Sequence, residues 1–163
     1  MKLLINSFKE KWRISGYALL SIGIYRLGNY TYKNLRYPVV YPILMIFYKF
    51  LDLLIVQGFN NSEIHYPTKI GENLKLPHGG KGVIISSKAS IGNNVTIYHQ
   101  VTIGTIKANG GAPKIGDNVF IGAGAKVLGP IVIGEGAKIG ANAVVIHDVP
   151  ANKTTTGVPA KLQ

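Results

Sequence analysis

The sequence predicts an all-β solenoid, a parallel β-helix of hexapeptide repeats, with a short α-helical segment before it. An apolar residue recurs every six positions, glycine often follows it, and a smaller apolar residue often stands at the fifth place. A helical face repeats every three or four residues and a half-buried strand every two, so a period of six fits neither. It fits short strands that wind into coils stacked about 4.8 Å apart.

The repeat is unbroken from Ile115 to Val149. Its first places hold large aliphatic residues, namely Ile115, Ile121, Val127, Ile133, Ile139 and Val145. Its fifth places hold Val119, Ala125, Ile131, Ala137, Ala143 and Val149. Both sets are expected to point inward, and glycine at the second place lets the backbone turn where a Cβ would obstruct it.

Earlier hexads show the same period with two interruptions. Isoleucines recur at 85, 91, 97 and 103, out of phase with Ile64 and Ile70, because residues 77–83 are inserted. A Gly-rich stretch, 105–113, then replaces a hexad and is expected to leave the coil as a loop. Loops that depart from a rigid solenoid commonly carry function. We divide the chain into an N-terminal helical segment, 1–61, and a coil domain with its C-terminal tail, 62–163.

The helical segment is both basic and apolar, within a chain of net charge +11. Pro42, Lys49 and Asp52 interrupt the apolar run 38–59, so no membrane span is expected. The apolar face formed by Phe47, Phe50, Leu51, Leu54 and Ile55 either packs on the coil or a partner subunit, or lies on a bilayer; we favour packing. No nucleic-acid motif accompanies the charge. The absence of cysteine and of a signal-peptide pattern favours the cytoplasm.

Four strings in the coil are characteristic: Val101-Thr102-Ile103-Gly104, Pro113-Lys114-Ile115-Gly116, the stretch Ile121 to Gly129, and Gly157-Val158-Pro159-Ala160. With the two interruptions, they resemble the hexapeptide-repeat acyltransferases, most closely the serine acetyltransferase branch, over residues 62–162. The resemblance implies a left-handed parallel β-helix and a homotrimer with active sites between subunits. It also implies acetyl-CoA as co-substrate, bound between neighbouring coils, and no metal.

A hydroxyl group needs a base to take its proton before it can attack a thioester, and histidine suits this role. The chain has four histidines: His65, His78, His99 and His147. The resemblance places His78 as the general base and Glu63 as the carboxylate that orients it. His99 is the second candidate base, and His65 and His147 are expected at the surface.

The resemblance also implies a cofactor site. Gly104 and Thr105 would offer backbone N–H groups near the thioester, and the small side chains of Ala123 and Ala141 would let the pantetheine arm lie close to the coil. Lys138 and Lys161 would lie near the phosphates of CoA.

The chain departs from the serine enzymes at three places. Pro77 stands where they have Asp before the catalytic histidine, and Ala112 stands where they have an Arg-His pair, so both contacts to an amino-acid acceptor are missing. The short apolar N-terminus, with Arg26-Leu27-Gly28-Asn29, resembles the leaders of polysaccharide O-acetyltransferases instead.

We therefore expect an acetyl-CoA-dependent O-acetyltransferase acting on a sugar hydroxyl of a bacterial surface polysaccharide or its precursor. Residues 1–60 could then contact the inner membrane face peripherally. Serine O-acetyltransferase of cysteine biosynthesis is the alternative. A zinc protein of the γ-carbonic-anhydrase type requires three interfacial His ligands, and the histidine spacing does not resemble that pattern. A non-catalytic trimeric scaffold would leave Glu63 and His78 without a joint purpose.

Overall fold

A computed structural model describes the backbone from Lys2 to Gln163 and the side chains from Gly16 onward. Two helices come first, α1 (Lys2–Asn34) and α2 (Val40–Leu51), and α2 continues without a break as a π-helix, Asp52–Phe59. Fourteen strands of two or three residues follow, so the predicted parallel β-helix with an N-terminal helical segment is confirmed.

The strands form three sheets along the coil. The first contains β1 (Glu63–Ile64), β3 (Ile84–Ile85), β6 (Thr102–Gly104), β9 (Lys126–Leu128) and β12 (Val144–Val145). The second contains β2 (Lys69–Ile70), β4 (Ser90–Ile91), β7 (Lys114–Ile115) and β10 (Val132–Ile133). The third contains β5 (Thr96–Ile97), β8 (Phe120–Ile121), β11 (Lys138–Ile139), β13 (Thr154–Thr156) and β14 (Lys161–Leu162). All pairs are parallel except β13 with β14, where the C-terminal tail folds back.

Aliphatic side chains fill the coil, one above the other. In the first sheet, Ile85 pairs with Ile103, and Ile103 with Val127, and all three side chains are fully buried. The predicted first-place and fifth-place residues from 115 to 149 are all buried. Full burial of such a side chain contributes about 1.5–3 kcal/mol relative to leaving it exposed. Each coil therefore depends on its neighbours above and below.

Helix α1 docks on the first coil through main-chain carbonyls. The Tyr25 hydroxyl donates to the carbonyl oxygen of Thr68 at 2.7 Å, and Asn29 Nδ2 donates to that of Tyr66 at 2.6 Å. The Arg26 guanidinium donates to the carbonyl oxygens of residues 70 and 71. Because these bonds satisfy carbonyl groups where the coil turns, they fix the helical segment on the coil.

Helix α2 packs on α1 where Gly28 leaves room for an aromatic ring. A Cβ at Gly28 would lie 2.5 Å from Cε2 of Tyr48. Tyr48 forms a second apolar cluster with Ile24, Met45 and Val56. Burial raises the pKa of Tyr48, and the neighbouring Asp52 carboxylate adds to this rise.

The helical segment differs from the sequence prediction in two respects. Of the predicted apolar face, Leu51 and Ile55 pack on the cluster of Tyr48, whereas Phe47, Phe50 and Leu54 are exposed on the single chain, because α1 approaches the side of the helix where Tyr48 lies. The predicted interruptions also do not break the helix: Val40–Phe59 is one helix of 20 residues, long and apolar enough to cross a membrane by length and composition, and 17% of its most apolar 18-residue stretch is buried. Pro42 falls in the first turn, where a helix tolerates proline.

Substitution of Gly28 and of Gly23, both in α1, should have opposite effects on stability. Gly28→Ala should lower the free energy of unfolding by about 1–3 kcal/mol, because the new methyl group displaces the Tyr48 ring. Gly23→Ala is the matched control: no atom lies within 4 Å of a Cβ there, so the better helix former should raise it by up to about 1 kcal/mol. Urea denaturation measures both. Equal effects would contradict the packing described.

Candidate functional site

The predicted insertion at residues 77–83 is a tight turn that carries His78 to the surface. Pro77 opens a tight turn, Pro77–Gly80, in which both His78 (φ 57°) and Gly79 (φ 79°) have left-handed backbone conformations. A histidine rarely adopts this conformation, so the surrounding contacts must hold the turn in place.

Two buried polar side chains at the start of the coil hold this turn. Asn60 Nδ2 donates to the carbonyl oxygen of Gly79 at 3.0 Å and to Ser21 Oγ of α1 at 2.8 Å. Ser62 Oγ donates to the carbonyl oxygen of Gly80 at 2.7 Å. The side-chain amide of Asn60 thus links helix α1 to the turn that carries His78. Sequence reasoning missed both residues, because a polar residue at a helix end ordinarily indicates only a cap.

A cavity of about 410 Å³ opens beside His78. It is lined by Phe59, Asn60, Asn61, His78, Lys81, Gly82, His99 and Gln100. The rings of His78 and His99 meet edge to face with their centroids 5.1 Å apart. In the part of the chain with described side chains, His99 Nδ1 and Asn60 Oδ1 are buried without a hydrogen-bond partner. The structure therefore brings the two candidate bases to one cavity.

Glu63 lies next to this cavity but contacts a different histidine. Its Oε1 is 3.1 Å from His65 Nε2. Glu63 lines a neighbouring cavity of about 170 Å³, and Asn61 lines both cavities. The Glu63 side chain is 49% exposed. The structure thus places Glu63 near His78 without joining the two.

Asp52 lies behind Glu63, in the π-helix. It accepts a hydrogen bond from Gln57 Nε2 at 2.8 Å. Burial raises the pKa of Asp52 above its usual range, and the Glu63 carboxylate acts in the same direction, while this hydrogen bond opposes the rise.

Two of the predicted cofactor residues lie along the corner of the coil that carries His99. Gly124 N–H donates to the carbonyl oxygen of His99 at 3.0 Å, and Asn142 N–H donates to that of Ala123 at 2.8 Å. Ala123 and Ala141 thus follow His99 on successive coils. Their side chains leave this corner open for a flat, extended group.

The other predicted cofactor residues lie elsewhere on the coil. Gly104 ends β6, and Thr105 begins the Gly-rich loop at the opposite edge of the first sheet. Lys138 and Lys161 are both exposed on the third sheet. These four residues do not line the cavity of His78.

Pro77 and Ala112, the two positions at which the coil departs from the serine enzymes, provide no polar contact to the cavity. Pro77 opens the turn, and Ala112 is 8% exposed and packs in the coil core.

Lys81, which sequence reasoning did not single out, is the cavity-lining residue with a permanent charge. The feature of the sequence that could have identified Lys81 is its position as a charged residue within a run of glycines, Gly79-Gly80-Lys81-Gly82.

Among the described side chains, no group of three His, Asp or Glu residues could hold a metal ion.

Comparison with known proteins gives consistent matches. Residues 112–147 match the family model described as bacterial transferase hexapeptide (six repeats). Over 160 residues, the chain is 41% identical to a serine acetyltransferase of Helicobacter pylori, which covers 94% of this chain and 86% of that protein. Soybean serine acetyltransferase complexed with serine is 40% identical, with a TM-score of 0.77 over 90% of this chain and 57% of that one. Serine acetyltransferase of Brucella abortus strain S19 in complex with coenzyme A is 36% identical, with a TM-score of 0.74 over 86% and 53%.

These matches extend beyond the coil. Residues 62–163 make up less than two thirds of the chain, so alignments that cover 86–94% of it include much of the helical segment. The chain nevertheless spans only about half the length of the solved structures that it matches, and less than two thirds of several bacterial relatives.

The matches contradict the sugar acceptor that the sequence analysis expected. That expectation depended partly on an N-terminus foreign to the serine enzymes, yet the alignment with the Helicobacter pylori serine acetyltransferase covers 94% of this chain. Arg26, Gly28 and Asn29, which suggested a polysaccharide enzyme, have packing roles in the structure instead. The interpretation as a polysaccharide O-acetyltransferase was therefore wrong, and the serine alternative is better supported.

Proposed function

Because this chain belongs to the serine acetyltransferase family of hexapeptide-repeat proteins, we propose that it transfers the acetyl group of acetyl-CoA to the hydroxyl of serine. The observation that carries the proposal is the match to a serine acetyltransferase over 94% of the chain at 41% identity. A surface histidine beside a 410 Å³ cavity supports it, because the reaction needs a base next to room for a small acceptor. A cytoplasmic location, where acetyl-CoA is available, fits this proposal.

In the proposed mechanism, one ring nitrogen of His78 takes the proton of the serine hydroxyl as the oxygen attacks the thioester carbonyl carbon. The tetrahedral intermediate then collapses, the carbon–sulfur bond breaks, and the departing CoA thiolate takes the proton from His78. The products are O-acetylserine and CoA, and His78 returns to its starting state. The turn anchored by Asn60 and Ser62 fixes His78 for this role.

Glu63 is proposed to orient His78 by accepting a hydrogen bond from its second ring nitrogen. The carboxylate pairs with His65 at 3.1 Å here, but its exposed side chain can rotate toward Asn61 and the cavity of His78. Catalytic hydrogen bonds often form fully only once substrate is bound. His65 would then compete with His78 for the same carboxylate.

For acetyl-CoA, Ala123 and Ala141 are proposed to flank the pantetheine arm, since they lie on the same corner as His99. Gly104 and Thr105 are proposed to offer backbone N–H groups, and Lys138 and Lys161 to face the phosphates. The Brucella abortus relative, whose structure contains coenzyme A, supports this choice of co-substrate.

The test is release of free CoA thiol from acetyl-CoA with serine, compared with hexoses and N-acetylated sugars. Serine should give release, and His78→Ala should lower the rate by about 10² to 10⁴. Glu63→Gln should also lower the rate, and His99→Ala should lower it less than His78→Ala. Thermal denaturation checks that each variant folds. Full activity of His78→Ala together with loss in His99→Ala would overturn the assignment of the base, and absence of serine-dependent release would overturn the function.

We propose that three copies assemble, with each active site completed by a neighbour. The cavity of His78 is open at a corner of the coil, and apolar residues are exposed close to it or on adjoining faces: Phe59 at 67%, Ile84 at 41% and Phe120 at 38%. Light scattering should give about three times the chain mass of 17.6 kDa, and a monomer mass would contradict the proposal.

We propose that the helix Val40–Phe59 lies on the cytoplasmic membrane surface. Its outer side exposes Ile43 at 61%, Ile46 at 69% and Phe50 at 60%, and basic Lys49 stands among them. An exposed apolar helix face of this kind is typical of peripheral contact with a lipid surface.

Flotation with phosphatidylglycerol-containing vesicles should recover the protein with the lipid, and Ile46→Asp should reduce recovery severalfold. Ile106→Asp is the matched control, since Ile106 is 61% exposed in the Gly-rich loop and is not part of the helix. Equal loss in both variants, or no binding by the unaltered protein, would contradict a membrane role for this helix.

A further inference from the structure

The backbone on both sides of Lys81 is fixed to the coil. The carbonyl oxygen of Lys81 accepts the N–H of Gln100 at 2.8 Å, and Gly82 N–H donates to the carbonyl oxygen of Asn60 at 3.0 Å. Two residues before Lys81, the carbonyl group of Gly79 is also held by Asn60. Lys81 is thus presented from a rigid backbone, three residues after the proposed base, while its own side chain is exposed.

The cavity that His78 and Lys81 share suits an anion. Among its described lining residues, Lys81 carries a permanent positive charge, and the others are neutral side chains and the two histidines. None of these lining residues is Asp or Glu, so nothing in the lining neutralises the ammonium group. Lys126 is also near, but it donates its ammonium group to the Gln100 carbonyl oxygen at 2.8 Å and to Thr102 Oγ1 at 3.2 Å.

An amino-acid acceptor brings a carboxylate into this cavity. Serine carries its carboxylate and its hydroxyl on adjacent carbons, so a cation that binds the first must stand close to the base that takes the proton of the second. At the position of the Arg-His pair of the serine enzymes, Ala112 provides no cation and is buried in the coil core, and Lys107 of the same loop does not line the cavity.

We propose that Lys81 binds the carboxylate of the amino-acid acceptor and so determines acceptor specificity. The inference rests on the proposed function and adds to it the residue that selects an acid over a neutral alcohol. A lysine is a compact charge on a flexible stem, so it can follow the carboxylate as the hydroxyl approaches His78.

The same cation could in principle meet the phosphates of CoA, but its position opposes this. The thioester must reach His78 for the reaction to occur, and the whole pantetheine arm separates the thioester from the phosphates. Because Lys81 is only three residues from His78, its ammonium group lies near the acceptor and far from the phosphates.

The test compares Lys81→Met, which keeps most of the stem but removes the charge, with Lys81→Arg, which keeps the charge. Lys75→Met is the matched control, because Lys75 is exposed on the coil but does not line the cavity. Lys81→Met should raise the KM for serine about tenfold to hundredfold, the range of a charge-assisted hydrogen bond, with kcat and the KM for acetyl-CoA within about twofold. Lys81→Arg should recover most of the affinity, and Lys75→Met should be unchanged.

An acceptor that lacks the carboxylate adds a second readout. The unaltered protein should prefer serine to serinamide, and Lys81→Met should lose this preference. Circular dichroism checks folding, and Lys81→Gln replaces Lys81→Met if the latter does not fold.

Two outcomes overturn the Lys81 proposal alone: serine turnover that Lys81→Met leaves unchanged, or a raised KM for acetyl-CoA in place of serine. Failure of the unaltered protein to acetylate serine would overturn both this inference and the proposed function.

Discussion

Burial of one column of aliphatic side chains is the constraint on which the whole structure depends. A two-residue strand makes too few hydrogen bonds to persist alone, so each coil is stable only because its inward residues contact those of the coils above and below. Ile85, Ile103 and Val127 show the result, since each is fully buried by its neighbours. The repeat consequently has little freedom, and the chain can vary its chemistry only where the repeat is interrupted.

The candidate site follows from this constraint. The insertion at 77–83 leaves the repeat, and its left-handed His78 needs support that the coil alone does not provide. The support comes from Asn60 and Ser62, at the junction of the helical segment with the first coil. Because Asn60 also bonds Ser21 of α1, the orientation of the turn depends on the docking of the helices. The helical segment is therefore a part of the site's framework as well as a neighbour of the coil.

The sequence predicted the coil because its signal is strict. Inward residues from Ile115 to Val149 lie in the core as expected, and both interruptions were visible as breaks in the count. The helical segment was harder to predict, since apolar residues surround the helix on all sides and periodicity cannot tell which side α1 will cover. Gly28 decides which side is covered, because the missing side chain leaves room for the Tyr48 ring. One glycine in a sequence does not indicate which face of another helix will pack against it. At the site, a family resemblance selected His78 as the base and left His99 as the second candidate, and only the structure shows that both line one cavity. The sequence contained no indication that Glu63 would pair with His65, because that contact depends on a side-chain rotamer.

The contacts between α1 and the coil also have an evolutionary consequence. Tyr25, Arg26 and Asn29 all donate to main-chain carbonyl oxygens, which every amino acid provides. The coil side of the junction can therefore drift in sequence while the helix side stays under selection. A helical segment that keeps these three donors should be interchangeable between coils whose side chains have little in common, so the two parts of the chain can be recombined as modules.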